Sequence, residues 1–399
     1  MKNNTKLIHA GQNKNRNAGI VNTPVYHAST VVFDSMAQML DAQDRNLKKR
    51  EKNLFYGRRG TPTHWTLQEA ISELECAADT FLTPSGLSAC TIAIMGCVKA
   101  GGHLLVTDSV YEPTRNFCDG FLSGFGVETT YYDPLIGAGI AALIKPNTAA
   151  VFCESPGSHT FEMQDLPAIS KAAHAKSTPD QPIMVLTDNT WASPLFCQPL
   201  NLGCDVSIQA ATKYVVGHSD AMVGTISVND AALPGVANAM SAIGVTLGPD
   251  EAYLATRGLR TLAVRLKQHH VNALIVAEWL EKRPEVKRVL FPALTSDPGY
   301  ELWKRDCSGA CGLMGVVFHR TSYEAITAMI DGMELFPLGF SWGGFESLIA
   351  PSNPSRIVAR TARPWTEPAP GLRLHIGLED PEDLIADLEK GLARFNQAL

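Results

Sequence analysis

The chain has 399 residues, of which 45% are hydrophobic and 19% charged, with a formal net charge of -6. That length exceeds one simple core, so two domains are expected; the mild acidity and lack of a basic tract argue against a nucleic-acid-binding surface. No apolar run reaches membrane-spanning length, no repeat has a solenoid period, and the polar N-terminus lacks a signal-peptide core, which points to a cytoplasmic protein.

The first sixty residues read as an arm, mixing polar stretches with "VVFDS" and a charged "DAQDRNLKKREKN" that suits a short helix. A compact unit starts near Thr61. "TLQEAISELECA" carries Leu67, Ile71 and Leu74 at helical spacing, and "SGLSACTIAIMGCVKAG" is a helix of small residues opened by Ser85-Gly86 and followed by Gly101. "HLLVTDS", "AAVFCESPG", "IMVLTDNTW" and "VSIQAAT" are apolar runs of strand length, with the helix "LPAISKAAHAK" between the second and third. Such alternation predicts an α/β fold whose mainly parallel central sheet is covered on both faces.

A long helix over "RTLAVRLKQHHVNALIVAEWLEKR" leads out of the sheet, with Leu262, Leu266, Leu274 and Trp279 on its apolar stripe. His269 and His270 are adjacent, so they point in different directions and read as surface residues. Strands "VKRVLFP", "GLMGVVFH" and "LRLHIGLE" and helices "SYEAITAMIDGM" and "EDLIADLEKGLARFN" then suit a smaller C-terminal α+β domain. The expected division is an arm over 1–60, a sheet domain over 61–259 and a C-terminal domain over 260–399. The nine cysteines show no CxxC or zinc-ligand spacing; Cys307 and Cys311 are the nearest pair, and reduced thiols with no metal are expected.

Ligands of such sheets bind beyond the carboxyl ends of the strands. Glu154-Ser155, Asp188-Asn189-Thr190 and Thr212-Lys213 all fall there. Lys213 ends an apolar run, where an ammonium is costly to bury. Either it snorkels to the surface, or its nitrogen is kept partly uncharged for covalent chemistry. If it forms a Schiff base with pyridoxal phosphate, the ring nitrogen needs an anion, and Asp188 is the candidate; a helix cap or turn is the alternative for that aspartate. The amides of Ser85-Gly86-Leu87 at a helix start suit a phosphate, and Thr212 can add a hydroxyl. Tyr111 in "SVYEPT" lies over the ring or in the core. Arg373, between Leu372 and Leu374, suits the carboxylate of an amino-acid substrate or faces water on an edge strand.

Together "YGRRGTPT", "ESPGS", "TDNTWASP", "QAATKYVVGHSDAM", "SWGGFESL" and "RLHIGLED" resemble the Cys/Met-metabolism family of pyridoxal-phosphate enzymes, in order and spacing over nearly the whole chain. The resemblance implies a fold-type I, aspartate-aminotransferase-like subunit in a homotetramer of tight dimers. In such a dimer Tyr56 and Arg58 reach the neighbouring subunit's phosphate. It implies that Gly86, Leu87 and either Ser207 or Thr212 lie on the phosphate side and Tyr111 on the ring. Ser341, Trp342 and Arg373 would hold the substrate's amino-acid end, with Tyr56 and Arg59 as further substrate contacts. The implied reaction is β-elimination of cystathionine to homocysteine, pyruvate and ammonia, with Lys213 and Tyr111 moving protons. γ-Cleaving relatives tend to carry an acidic residue where Phe340 stands, which favours β-cleavage; γ-elimination or γ-replacement is the alternative within the family. Phe340 lacks the hydroxyl of a tyrosine common there, and Asn116 stands where an aspartate is common. Cysteine or cystine cleavage and alanine racemisation are the implied side activities. From another class, a nucleotide-binding oxidoreductase needs a GxGxxG turn, of which "GAGIAAL" offers only Gly137 and Gly139.

Overall fold

The computed structural model describes residues 1–354 and 360–399. Strands β1 (Asp79–Thr83), β2 (His103–Thr107), β3 (Glu128–Tyr132), β4 (Thr148–Glu154), β5 (Met184–Asp188), β6 (Val206–Gln209) and β7 (Gly224–Val228) form one sheet. Their order is β1-β7-β6-β5-β4-β2-β3. β6, β5, β4, β2 and β3 run parallel, while β7 is antiparallel to both β6 and β1.

Alternating residues of the central strands feed two cores. Helices α1 (Asn3–His9) and α2 (Met36–Leu47) lie in the N-terminal arm. They are followed by α3 (Pro62–Glu75), α4 (Gly86–Cys97), α5 (Glu112–Asn116), α6 (Leu166–His174), α7 (Ser193–Phe196) and α8 (Leu233–Ile243). α4 and α8 cover the face that carries Leu104, Val106, Phe152 and Leu186. α6 covers the face with Leu105, Val151 and Val185. Covered on both sides, these strands need the continuous apolar sequence they have.

The long helix α9 (Pro249–Leu280) starts with proline at its first position and Asp250 and Glu251 in its first turn, all suited to a helix N-terminus. It begins earlier than the hydrophobic stripe indicates, so residues 259 and 260 fall inside it. Beyond it, β8 (Val286–Leu290), β9 (Leu313–Phe318), β10 (Leu348–Ser352) and β11 (Gly371–His375) form a second sheet, ordered β10-β11-β9-β8 and antiparallel throughout. Helices α10 (Tyr300–Asp306), α11 (Tyr323–Ile330) and α12 (Pro381–Ala398) complete this part. Phe395 of α12 stacks on Phe318 of β9 at 4.5 Å between ring centroids.

β1, β3 and β10 are strands for which the sequence gives little signal. β3, "ETTYY", is an edge strand with mixed burial, and β10 contains Pro351, which an edge strand tolerates because no ladder donor is needed there. The surface reading of His269 is corrected: the ring is fully buried. It lies three residues after Leu266 and seven after Leu262, so the helical repeat puts it on the core face. Its Nδ1 bonds Ile376 O at 2.9 Å, and it packs between Tyr214 and His375. His270 is half-buried and accepts from Ala310 N at 3.1 Å.

One contact fastens the C-terminal part to the carboxyl edge of the large sheet. Asp108, just past β2, is fully buried. Its carboxylate accepts from Arg115 Nη2 and from the backbone N–H groups of Thr361 (3.0 Å), Ala362 (2.8 Å) and Arg363 (2.8 Å). Asp108→Ala leaves a buried guanidinium and three amides without their acceptor. It is expected to cost roughly 3–5 kcal/mol, seen as a lowered urea midpoint, whereas a loss under 1 kcal/mol would contradict this account.

Candidate functional site

A cavity of about 380 Å³ opens at the carboxyl ends of β4, β5 and β6, where the large sheet meets the second sheet. It is lined by Ser85, Gly86, Leu87, Tyr111, Asp188, Thr212, Lys213, Trp342 and Arg373, among others. Lys213 leaves β6 through a tight turn, its N–H bonding Ala210 O at 3.0 Å. Its ammonium donates to Ser341 Oγ at 2.8 Å and stands 5.1 Å from the Trp342 ring centroid. Burial, then the Arg373 charge, lower its pKa to about 8. The snorkelling alternative is excluded, because the nitrogen faces the cavity.

Asp188 ends β5 directly beside Glu154 of β4, since the two residues are register partners. Thr190 fixes its Oδ1 through a backbone N–H at 2.9 Å and a hydroxyl at 2.5 Å, and Cys90 Sγ reaches Oδ2 at 3.6 Å. Glu154 accepts from Tyr111 N at 2.7 Å and from the Ser158 hydroxyl. Burial raises both carboxyls above the usual range, and repulsion from the Asp188 charge adds to the rise at Glu154, while the Lys213 charge works against the rise at Asp188. Among the described residues neither has an ion-pair partner within 4.0 Å. A cationic N–H donor in the cavity would relieve that repulsion.

The phosphate side is built by α4. Ser85 caps it, accepting from Ser88 N at 3.1 Å, and leaves the Gly86 and Leu87 end of the helix facing the cavity. A side chain at position 86 is impossible, because a Cβ there would lie 2.4 Å from Ala210 Cβ. Thr212 lines the cavity, with its hydroxyl donating to Val223 O at 3.2 Å and accepting from Val223 N at 2.8 Å. The Ser207 alternative is corrected: it is fully buried and donates to Glu75 Oε1 at 2.9 Å, away from the cavity. Ser207 lies inside β6, whose side chains are buried against the sheet's packing layers, whereas from this stretch only residues beyond the strand's end line the cavity.

Tyr111 begins α5 and is 43% exposed; burial, then the neighbouring Cys90, Glu154 and Asp188, raise its pKa, so the phenol stays a donor. Arg373, on β11, donates to Phe340 O at 2.6 Å. Phe340 itself is 97% exposed. Tyr56, Arg58 and Arg59 are not among the residues of this cavity. Arg58 lies 6.0 Å over the Tyr56 ring, and Arg59 donates to Ser241 Oγ at 3.0 Å beside a second cavity. Asn116 ends α5. Gly137 and Gly139 sit in a 3-10 turn, not at a helix start, so no dinucleotide loop forms.

Cys90, Thr190 and His159 also line the cavity, and the sequence assigned them no role there. Cys90 was legible in principle, lying one helical turn beyond Gly86. His159 was not, because its position depends on a left-handed backbone at φ 63°.

The features fit pyridoxal phosphate: a helix start with open amides, a carboxylate lacking a cation, and a lysine amine in one cavity. A family model described as Cys/Met metabolism PLP-dependent enzyme matches residues 4–393. The chain is 46% identical to a putative cystathionine beta-lyase of Rhizobium johnstonii, over 98% of this chain and 96% of that one. It is also 46% identical to the cystathionine beta-lyase MetC of Escherichia coli, over 98% of each. The crystal structure of metB from Corynebacterium glutamicum superposes with a TM-score of 0.87 at 31% identity, covering 98% of each chain.

Two outcomes are expected. In the apoprotein, trinitrobenzenesulfonate should modify Lys213 with a half-maximal rate near pH 8, against 10.5 for ordinary lysines, and Lys213→Ala should lose that phase. A single titration at the ordinary lysine value would overturn the cavity assignment. Burial also pushes Glu75 from 4.5 up to about 7. The folded state therefore favours its neutral form, and its contribution to stability falls as pH rises from 4.5 through 7. Glu75→Gln should flatten that part of the stability profile and raise the unfolding midpoint above pH 7. An unchanged slope would show that Glu75 titrates normally.

Proposed function

Because the chain belongs to the Cys/Met metabolism family of pyridoxal-phosphate-dependent enzymes, we propose that it cleaves the Cβ–S bond of cystathionine, giving homocysteine, pyruvate and ammonia. The observation that carries this reading is the meeting of a lysine amine, a buried carboxylate and an arginine in one cavity. Bound there, pyridoxal phosphate supplies an electron sink for the carbanion at the substrate's Cα.

The chain's own groups do the rest. The amides of Gly86 and Leu87 bind the phosphate at the positive end of α4, with Ser85 holding the turn. Thr212 contributes by fixing the strand end beside Lys213. Asp188, aligned by Thr190 and Cys90, would hold a proton on the cofactor's ring nitrogen, and Tyr111 would help to hold the ring. Arg373 takes the substrate carboxylate, and Ser341 and Trp342 flank the same end. Lys213 would hold the cofactor through its amine, and that amine, when free, would remove the Cα proton. Its lowered pKa leaves a useful fraction unprotonated at neutral pH. The same amine returns a proton to the departing sulfur, and the Tyr111 phenol can supply one.

The chain is read as an arm to residue 60, a cofactor-binding part over 61–259 and a C-terminal part from 260. The arm serves a homotetramer of tight dimers, in which Tyr56 and Arg58 complete the neighbouring subunit's phosphate site and Arg59, with Tyr56, its substrate site. The apolar side chains the arm leaves exposed, Val21, Val32 and Met36, support that reading. Phe340 stands where γ-cleaving relatives tend to carry an acidic residue, which favours β- over γ-cleavage. With Phe340 lacking a hydroxyl and Asn116 standing where an aspartate is common, altered recognition of the substrate's distal end is expected, and cysteine and cystine are expected as further substrates. A cytoplasmic location accords with the reduced thiols, and no helix among the described residues is long and apolar enough to cross a membrane.

Product analysis with cystathionine tests the proposal. Pyruvate with homocysteine is expected; 2-oxobutyrate with cysteine would mean γ-cleavage. Lys213→Ala should lower kcat by more than ~10²-fold and abolish visible absorbance of the holoenzyme. Arg373→Ala should lower kcat/KM by roughly 10–100-fold through loss of a charge-assisted contact.

A further inference from the structure

Outside the cavity, two cysteines from distant parts of the chain meet. Cys197 follows α7 with φ -133° and ψ 138°, and Cys307 follows α10 with φ -119° and ψ 146°, so both are extended. Ser308 N donates to Phe196 O at 2.8 Å, and the Ser308 hydroxyl reaches the same oxygen at 3.3 Å. The backbone bond runs from the residue after one cysteine to the residue before the other. That places the two extended cysteine backbones side by side, as a disulfide, whose Cα atoms lie roughly 4.4–6.8 Å apart, requires. Gly309 keeps the two segments close, since a Cβ there would lie 2.7 Å from the Phe196 ring.

The two thiols influence each other's ionisation: Cys307 and burial push Cys197 well above the ordinary thiol value. Cys197 is 4% exposed, whereas Cys307 is partly exposed and packs on the same core. Asn189, next to Asp188, donates to Cys197 O at 3.0 Å. The cysteine pair therefore joins the segment that carries Asp188 to the C-terminal part that carries Arg373.

We propose that Cys197 and Cys307 are a redox modification site that closes a reversible disulfide across these two parts when the protein meets hydrogen peroxide. Peroxide oxidises the more accessible Cys307 thiol to a sulfenic acid, releasing one water. Cys197 sulfur then attacks the Cys307 sulfur. The S–S bond forms, the S–O bond breaks, and the hydroxyl leaves with the Cys197 proton as a second water. Two thiols are oxidised and one peroxide is reduced to two waters. The cross-link closes a long loop and so stabilises the folded chain against its unfolded state.

The test treats the holoenzyme with hydrogen peroxide, alkylates remaining thiols with N-ethylmaleimide and digests without reductant. The expected result is a peptide pair joined through Cys197 and Cys307, two hydrogen masses lighter than its parts and released by dithiothreitol. The thermal unfolding midpoint should rise on oxidation and return on reduction. Cys307→Ser, at the partly exposed position, should lose both the pair and the shift, and avoids a core substitution at Cys197. Recovery of both cysteines alkylated would overturn the proposal. So would Cys307 as sulfinic acid with Cys197 free, a bridge between chains, or a bridge with no upward shift.

Discussion

Two carboxylates stand side by side at the ends of neighbouring parallel strands, and the rest of the site follows from that juxtaposition. Register places Glu154 against Asp188, and the helices on both faces keep bulk water away. Mutual repulsion in a poorly solvated site is unfavourable until a positive group arrives. Glu154 answers with a backbone N–H from Tyr111 and a hydroxyl from Ser158, and Asp188 with Thr190 and Cys90. These donors hold the groups in place without neutralising them. The site is thereby prepared for a cationic ring nitrogen, with the lysine amine and the helix amides arranged around the same space.

The second sheet finishes what the first begins. It brings Arg373 to the cavity, while the loop before β10 brings Ser341 and Trp342. Their positions relative to Lys213 depend on contacts between the two parts. Trp191 Nε1 donates to Leu313 O at 3.0 Å, Asp108 grips residues 361–363, and Phe196 meets Ser308. Each joins a strand end of the large sheet to the C-terminal part.

Much of the large sheet was legible because buried parallel strands must be continuously apolar; β2, β4, β5 and β6 stand out in the sequence for that reason. Edge strands carry no such demand, so β1, β3 and β10 left little trace. The helix α9 was legible by its stripe but not at its start, where capping rather than periodicity marks the end. His269 shows the limit of reading adjacent polar residues as surface: only the helical phase, fixed by Leu262 and Leu266, reveals its burial. Ser207 shows another, since position within the strand or beyond its carboxyl end, not proximity to Lys213 in sequence, decides which side chain reaches the cavity.

The sequence by itself determined the candidate chemistry. A lysine at the end of an apolar run, an aspartate after another and a Ser-Gly helix start are local statements about desolvation cost and helix dipoles, and local composition suffices to make them. It could not determine which hydroxyl faces the cavity, that Glu154 lies against Asp188, or that Cys197 meets Cys307. Those depend on register between strands and on packing between segments far apart in the chain. Only the tertiary structure fixes them, because a buried polar group is placed by the partners that folding brings to it.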